Sequence, residues 1–91
     1  MGVVADTIRT KLEAAFSPQR LEVIDASERH RGHGGWREGG ETHFDVVIVA
    51  EAFQGLGRVE RQRRVNAALA EELSGPVHAL SIRAEAPEPG R

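Results

Sequence analysis

The spacing of hydrophobic positions changes along the chain and divides it into elements. Val4, Ile8, Leu12, Ala15 and Phe16 recur at three- and four-residue intervals, which stacks them on one face of a helix over Val4–Phe16. Asp6 suits the positive end of that helix, and Ser17-Pro18 ends it because proline cannot continue the hydrogen-bond ladder. Leu21 to Ala26 reads as a strand, its Leu21 and Val23 alternating with Glu22. Thr42 to Ala50 is the stronger strand. Phe44, Val46 and Ile48 share one face there, and His43, Asp45, Val47 and Val49 the other. A short helical turn over Glu51-Ala52-Phe53 is broken by Gln54-Gly55-Leu56-Gly57. A helix follows from Arg58 to Leu73, with Val65, Ala68, Leu69 and Leu73 as its apolar face, and Ser74-Gly75-Pro76 closes it. Val77 to Ala84 is a third strand, in which His78, Leu80, Ile82 and Ala84 share a face.

This order predicts an α+β fold, an αββααβ two-layer sandwich with a three-stranded mixed sheet and the helices on one face. The third strand returns after a helical crossover, so it should run parallel to one hairpin strand through a right-handed connection. Asp45, Ser81 and Arg83 then fall on the open sheet face. Ninety-one residues leave room for one domain. We place it at 1–85, with 86–91 as a flexible C-terminal tail rich in proline and glycine.

Between the first two strands lie fifteen residues, Ser27 to Glu41, containing five glycines, two histidines and the single tryptophan. Hairpin loops usually take two to five residues, and long loops in compact domains tend to carry function. The chain has no cysteine, so it can supply no disulfide, thiolate nucleophile or thiolate ligand of its own. A metal here must be held by histidine, carboxylate or a partner's ligands. No apolar run reaches the roughly 18 residues of a membrane span, and no secretory pattern opens the chain, which leads us to expect a cytoplasmic protein without membrane contact.

The four histidines are the first candidates for chemistry. His30 and His33 sit in the glycine-rich loop, either solvated or ligating. His43 opens the second strand, where a solvent-facing or hydrogen-bonded role outweighs ligation. His78 is either a half-buried histidine bonded to backbone or a ligand. The net charge of −2 disfavours an obligate nucleic-acid binder, yet Arg58, Arg61, Arg63 and Arg64 crowd around a single acid, Glu60. That group is a solvated face or a site for an acidic partner or phosphate. Gly32-His33-Gly34-Gly35 matches the G-x-x-G of a KH clamp only formally, because it joins strands rather than helices. No Walker loop or nucleophile elbow is present. Glu71 and Glu72 are adjacent on a helix and point apart, so they form no acid/base couple.

Several stretches together resemble the BolA family. They are FQGLGRVERQRRVN over Phe53–Asn66, LAEEL over Leu69–Leu73 and VHAL over Val77–Leu80, with GETHF over Gly40–Phe44 and HRGHGG over His30–Gly35. The resemblance covers residues 4–87, with Gln62 where the family commonly has histidine. It implies a class II KH-like fold and no enzymatic activity. It further implies a heterodimer with a monothiol glutaredoxin that shares a [2Fe–2S] cluster, in iron–sulfur maturation, trafficking or iron regulation. The BolA side would supply His78 and a loop histidine, His33 in preference to His30, while glutaredoxin cysteine and glutathione supply thiolates. No cofactor is then expected in the isolated protein, which would be a monomer or weak homodimer. The alternative is a DNA-binding transcriptional regulator acting through the Arg58–Arg64 helix. A zinc site made by histidines alone is a third reading.

Overall fold

The sheet has one apolar face, and the helices cover it. The protein is described by a computed structural model over residues 2–26 and 42–88. Helix α1 (Val3–Phe16) buries Ala5, Ile8 and Leu12, and it stops where Ser17 turns left-handed (φ 46°) and its N–H reaches the Glu13 carbonyl at 3.0 Å. Strand β1 (Arg20–Asp25) pairs antiparallel with β2 (His43–Val49), placing Leu21 opposite Ile48 and Val23 opposite Val46. Strand β3 (Ala79–Glu85) pairs parallel with β2, placing Phe44 beside Leu80 and Val46 beside Ile82. The order is therefore β1-β2-β3. This is the expected α+β sandwich with a three-stranded mixed sheet. Central position makes β2 the most buried strand. Phe44, Val46 and Ile48 pack with Ile8, Leu12, Phe53, Val65 and Leu69 to form the core. At roughly 1.5–3 kcal/mol for each large apolar side chain removed from water, this cluster is what drives folding.

The long helix differs from the reading of the sequence. It is α2 (Arg58–Ala68) and a short α3 (Ala70–Ser74), broken at Leu69 (φ −108°, ψ 22°). The Leu69 N–H divides itself between the Val65 and Asn66 carbonyls, at 3.1 and 3.2 Å. The break lets Leu69 stay fully buried while α3 turns toward α1. There Lys11 Nζ lies 2.6 Å from Glu71 Oε1 and 2.8 Å from Glu72 Oε2. The two glutamates, expected to point apart, thus converge on one ammonium. Lys11 holds the Glu71 carboxyl below its usual range through a hydrogen bond and its charge, and the hydrogen bonds that Lys11 donates to Glu71 and Glu72 raise its own value in turn.

Strand β3 begins two residues later than expected. Val77 bonds back to Glu72 (N···O 2.9 Å) to close the end of α3, and His78 bonds to Thr42 before the ladder starts. Past β3, Ala86 packs against the core and Pro87 is buried, its carbonyl accepting from Gln54 Nε2 at 3.3 Å. Among the described residues no helix is long and apolar enough to cross a membrane.

Candidate functional site

Parallel pairing brings the N-terminal ends of β2 and β3 side by side, and two histidines meet there. His43 lies opposite Ala79, one residue from His78, and the two ring centroids are 5.4 Å apart at 58°. The backbone fixes this meeting. The Thr42 carbonyl accepts from the N–H groups of both His78 (2.7 Å) and Ala79 (3.2 Å), and Ala26 N–H donates to the His43 carbonyl at 2.7 Å. His43 is 4% exposed, with its Nδ1 2.8 Å from the Thr42 hydroxyl. His78 is exposed. Of the roles weighed for them, His43 takes the hydrogen-bonded one and is not solvent-facing. His78 bonds to backbone through its own N–H but is not half-buried, so its imidazole is available.

His30 and His33 fall outside the described residues. The chain leaves the described structure after Ala26 and re-enters it at Thr42, and both residues are hydrogen-bonded within this histidine corner. Among the described residues no three histidine, cysteine or acidic side chains gather as a metal site. The residue that sequence reasoning set aside is His43. Its strand position was legible, but its neighbour was not, because only the β2–β3 register determines what lies beside it.

At the opposite end of β3, the four arginines divide into two groups. Arg58, Arg61 and Gln62 share one side of α2 and face the free edge of β3. Arg61 is half-buried, donating from Nε to the Leu56 carbonyl at 2.9 Å and from Nη1 to the Ala84 carbonyl at 3.2 Å. Gln62 Nε2 donates to the Ile82 carbonyl at 3.4 Å. These contacts cover an exposed edge that would otherwise invite another strand. Arg64 and Arg63 instead turn outward to Glu60, at 3.2 and 4.0 Å. The compact basic patch read from sequence is therefore divided, with Arg58 and Gln62 also bordering a shallow hollow beside Arg63. Arg83, on the open sheet face, bonds Glu85 at 2.8 Å and with its charge holds that carboxyl below the usual range, with Arg61 and Arg20 adding to the effect.

Residues 12–89 match the family of BolA-like proteins. The chain belongs to the BolA family. It is 51% identical over 87 residues to human BolA-like protein 1, covering 96% of this chain and 61% of that protein. The chain thus spans about three-fifths of the length of that mammalian relative. It is 44% identical over 80 residues to the Escherichia coli DNA-binding transcriptional regulator BolA, covering 88% of this chain and 72% of that one. Among solved structures, the BolA domain of SufE1 from Arabidopsis thaliana superposes with a TM-score of 0.86 at 45% identity, covering 96% of this chain and 95% of that one. The αββααβ sandwich is thus the BolA fold.

Proposed function

We propose that this BolA-family chain is a non-catalytic adaptor that binds a monothiol glutaredoxin and co-ligates a [2Fe–2S] cluster in iron–sulfur maturation, trafficking or iron regulation. The observation that carries the reading is the corner at the heads of β2 and β3. There His78 presents an exposed imidazole against His43, and Ala26 and Thr42, the described residues on either side of His30 and His33 in the sequence, are hydrogen-bonded at the same corner. The donor set fits such a group in part. This chain can bring imidazoles but no thiolate, so the remaining ligands must come from glutaredoxin cysteine and glutathione. A bound cluster supplies redox-active iron, with a potential raised where imidazole replaces thiolate. The chain's own residues have positional roles. Thr42 fixes the backbone at His78 through its carbonyl and holds His43 Nδ1 through its hydroxyl, while His43 limits where the His78 ring can turn. His78 and His33 are the proposed ligands, with His30 as the other loop choice. The proposed setting is the cytoplasm.

Titrating the chain with cluster-loaded monothiol glutaredoxin, followed by visible absorption and circular dichroism, tests this. A spectral change for the native chain and none for His78→Ala is the expected outcome. An unaltered spectrum with the native chain would end the proposal.

A second reading, a DNA-binding transcriptional regulator, has the name of the E. coli relative in its favour. Its contacts would come from the α2 arginines, of which Arg63 and Arg64 face outward but share Glu60. DNA affinity falling steeply with salt, and less steeply after Arg64→Gln, would support it.

A further inference from the structure

We propose that the cleft between α2 and the C-terminal half of β3 binds a small phosphomonoester through Arg58, Arg61 and Arg83. The cleft measures about 440 Å³, within the size range of small-molecule sites and larger than a bare phosphate needs. Its floor is rigid. Arg61 is held by carbonyls on two different elements, Leu56 before α2 and Ala84 on β3, which fixes the plane of its guanidinium. A guanidinium has five N–H donors in a fork. Two of those of Arg61 are used, and the rest remain for a ligand.

Arg58 stands one turn before Arg61 on the same wall, and among the described residues no ion pair engages it. Arg83 lines the cleft from the strand side, at the edge where β3 meets the open sheet face, and gives only its Nε to Glu85, leaving both terminal nitrogens. The lining thus carries three guanidinium groups against one carboxylate. That surplus of two positive charges matches a phosphomonoester, which bears close to two negative charges at pH 7. A phosphodiester bears one per phosphate, and a simple carboxylate also one. Arg61 and Gln62 already occupy the Ala84 and Ile82 carbonyls, so a peptide strand cannot pair with that stretch of the β3 edge. Ile82 and Ala84 line the cleft beside the arginines and give the organic part of the ester an apolar contact.

The test is an NMR titration of the isolated chain, recording backbone amides and arginine Nε–H groups. The probes are adenosine 5′-monophosphate, inorganic phosphate and a single-stranded oligonucleotide without terminal phosphates. The nucleotide should give saturable shifts confined to residues 58–62 and 82–85, including the Nε–H signals of Arg61 and Arg83. Inorganic phosphate should move the same signals with weaker affinity. Arg83→Gln, an exposed change that leaves the core intact, should weaken nucleotide binding about tenfold, as expected for losing one charge-assisted contact. Arg63→Gln should leave it within about twofold. His78→Ala should bind the nucleotide as the native chain does, which separates this site from the proposed cluster ligands. Shifts no larger than those from equal ionic strength of sodium chloride would overturn the proposal. So would undiminished binding by Arg83→Gln, or an oligonucleotide that binds more tightly than the nucleotide and moves Arg63 and Arg64 instead.

Discussion

The two ends of β3 are built on opposite principles. At its head, backbone hydrogen bonds place His78 and leave its exposed ring against that of His43. Near its foot, side chains place one another, since Arg61, Gln62, Arg83 and Glu85 all spend donors or acceptors on strand carbonyls or ion pairs. His78 and Arg83 are five positions apart, roughly 16 Å of extended chain at about 3.3 Å per residue. The contrast is one of freedom. A ligand at the head can use an imidazole that folding does not need, whereas at the foot the same arginine both secures the edge and faces the cleft.

The largest test asks whether the ends fold as one unit. Phe44 follows His43 on β2, and Phe53, in the turn that leads to α2, lies against Phe16 with ring centroids 5.0 Å apart; both phenylalanines belong to the buried core. Phe44→Ala and Phe53→Ala should each cost about 3–5 kcal/mol in denaturant melts. In both, the single-residue probes at the two ends should melt together. Separate transitions would mean that the comparison concerns two subunits of stability rather than one core.

The next test separates structural from available side chains. Arg61→Ala removes donors to two backbone carbonyls and should cost about 1–3 kcal/mol by chemical denaturation. Between the sheet and α2, Gly55 adopts φ +77°, and a Cβ there would meet nothing within 4 Å. The cost of Gly55→Ala is therefore one of backbone conformation, about 1 kcal/mol, and a neutral result would mean the turn relaxes. At the head of β3, His78→Ala should change stability by less than about 0.5 kcal/mol, because the side chain is exposed and the Thr42 contact belongs to the backbone.

A smaller effect belongs to neither end. Glu71 is held below its ordinary value of 4.5 by Lys11, so its contribution is present above that pH and is lost as pH falls through the lowered value. Lys11 is raised above 10.5, so its contribution holds below that pH and fades only in stronger base. Melting temperature measured against pH should therefore drop in acid, and Lys11→Met should shallow both the acid limb and the fade in strong base.

The fold was legible because each element carries its own period. The α1 stripe of Ile8 and Leu12, the Phe44-Val46-Ile48 alternation and the Ser74-Gly75-Pro76 stop are local signals. The break at Leu69 was not legible, since Leu69 and Leu73 continue a helical stripe across it and the contacts of Lys11 with Glu71 and Glu72 reach across 60 and 61 residues. His78 stood out as a candidate, whereas its contact with His43 depends on parallel register, which no local pattern encodes. The arginines read as one patch because sequence gives their spacing but not which side of α2 meets β3. Arg83 and Glu85 were left out of that patch for the same reason.

The most direct measurement compares visible circular dichroism of cluster-loaded monothiol glutaredoxin after adding native chain, His78→Ala, His33→Ala or His43→Ala, each variant checked for native stability. A new spectrum is expected with the native chain, its loss with His78→Ala and a weakened or altered one with His33→Ala. His43→Ala should retain binding with a shifted spectrum, as befits a residue that orients its neighbour. A stably folded His78→Ala that reproduces the native spectrum would contradict the account at its centre.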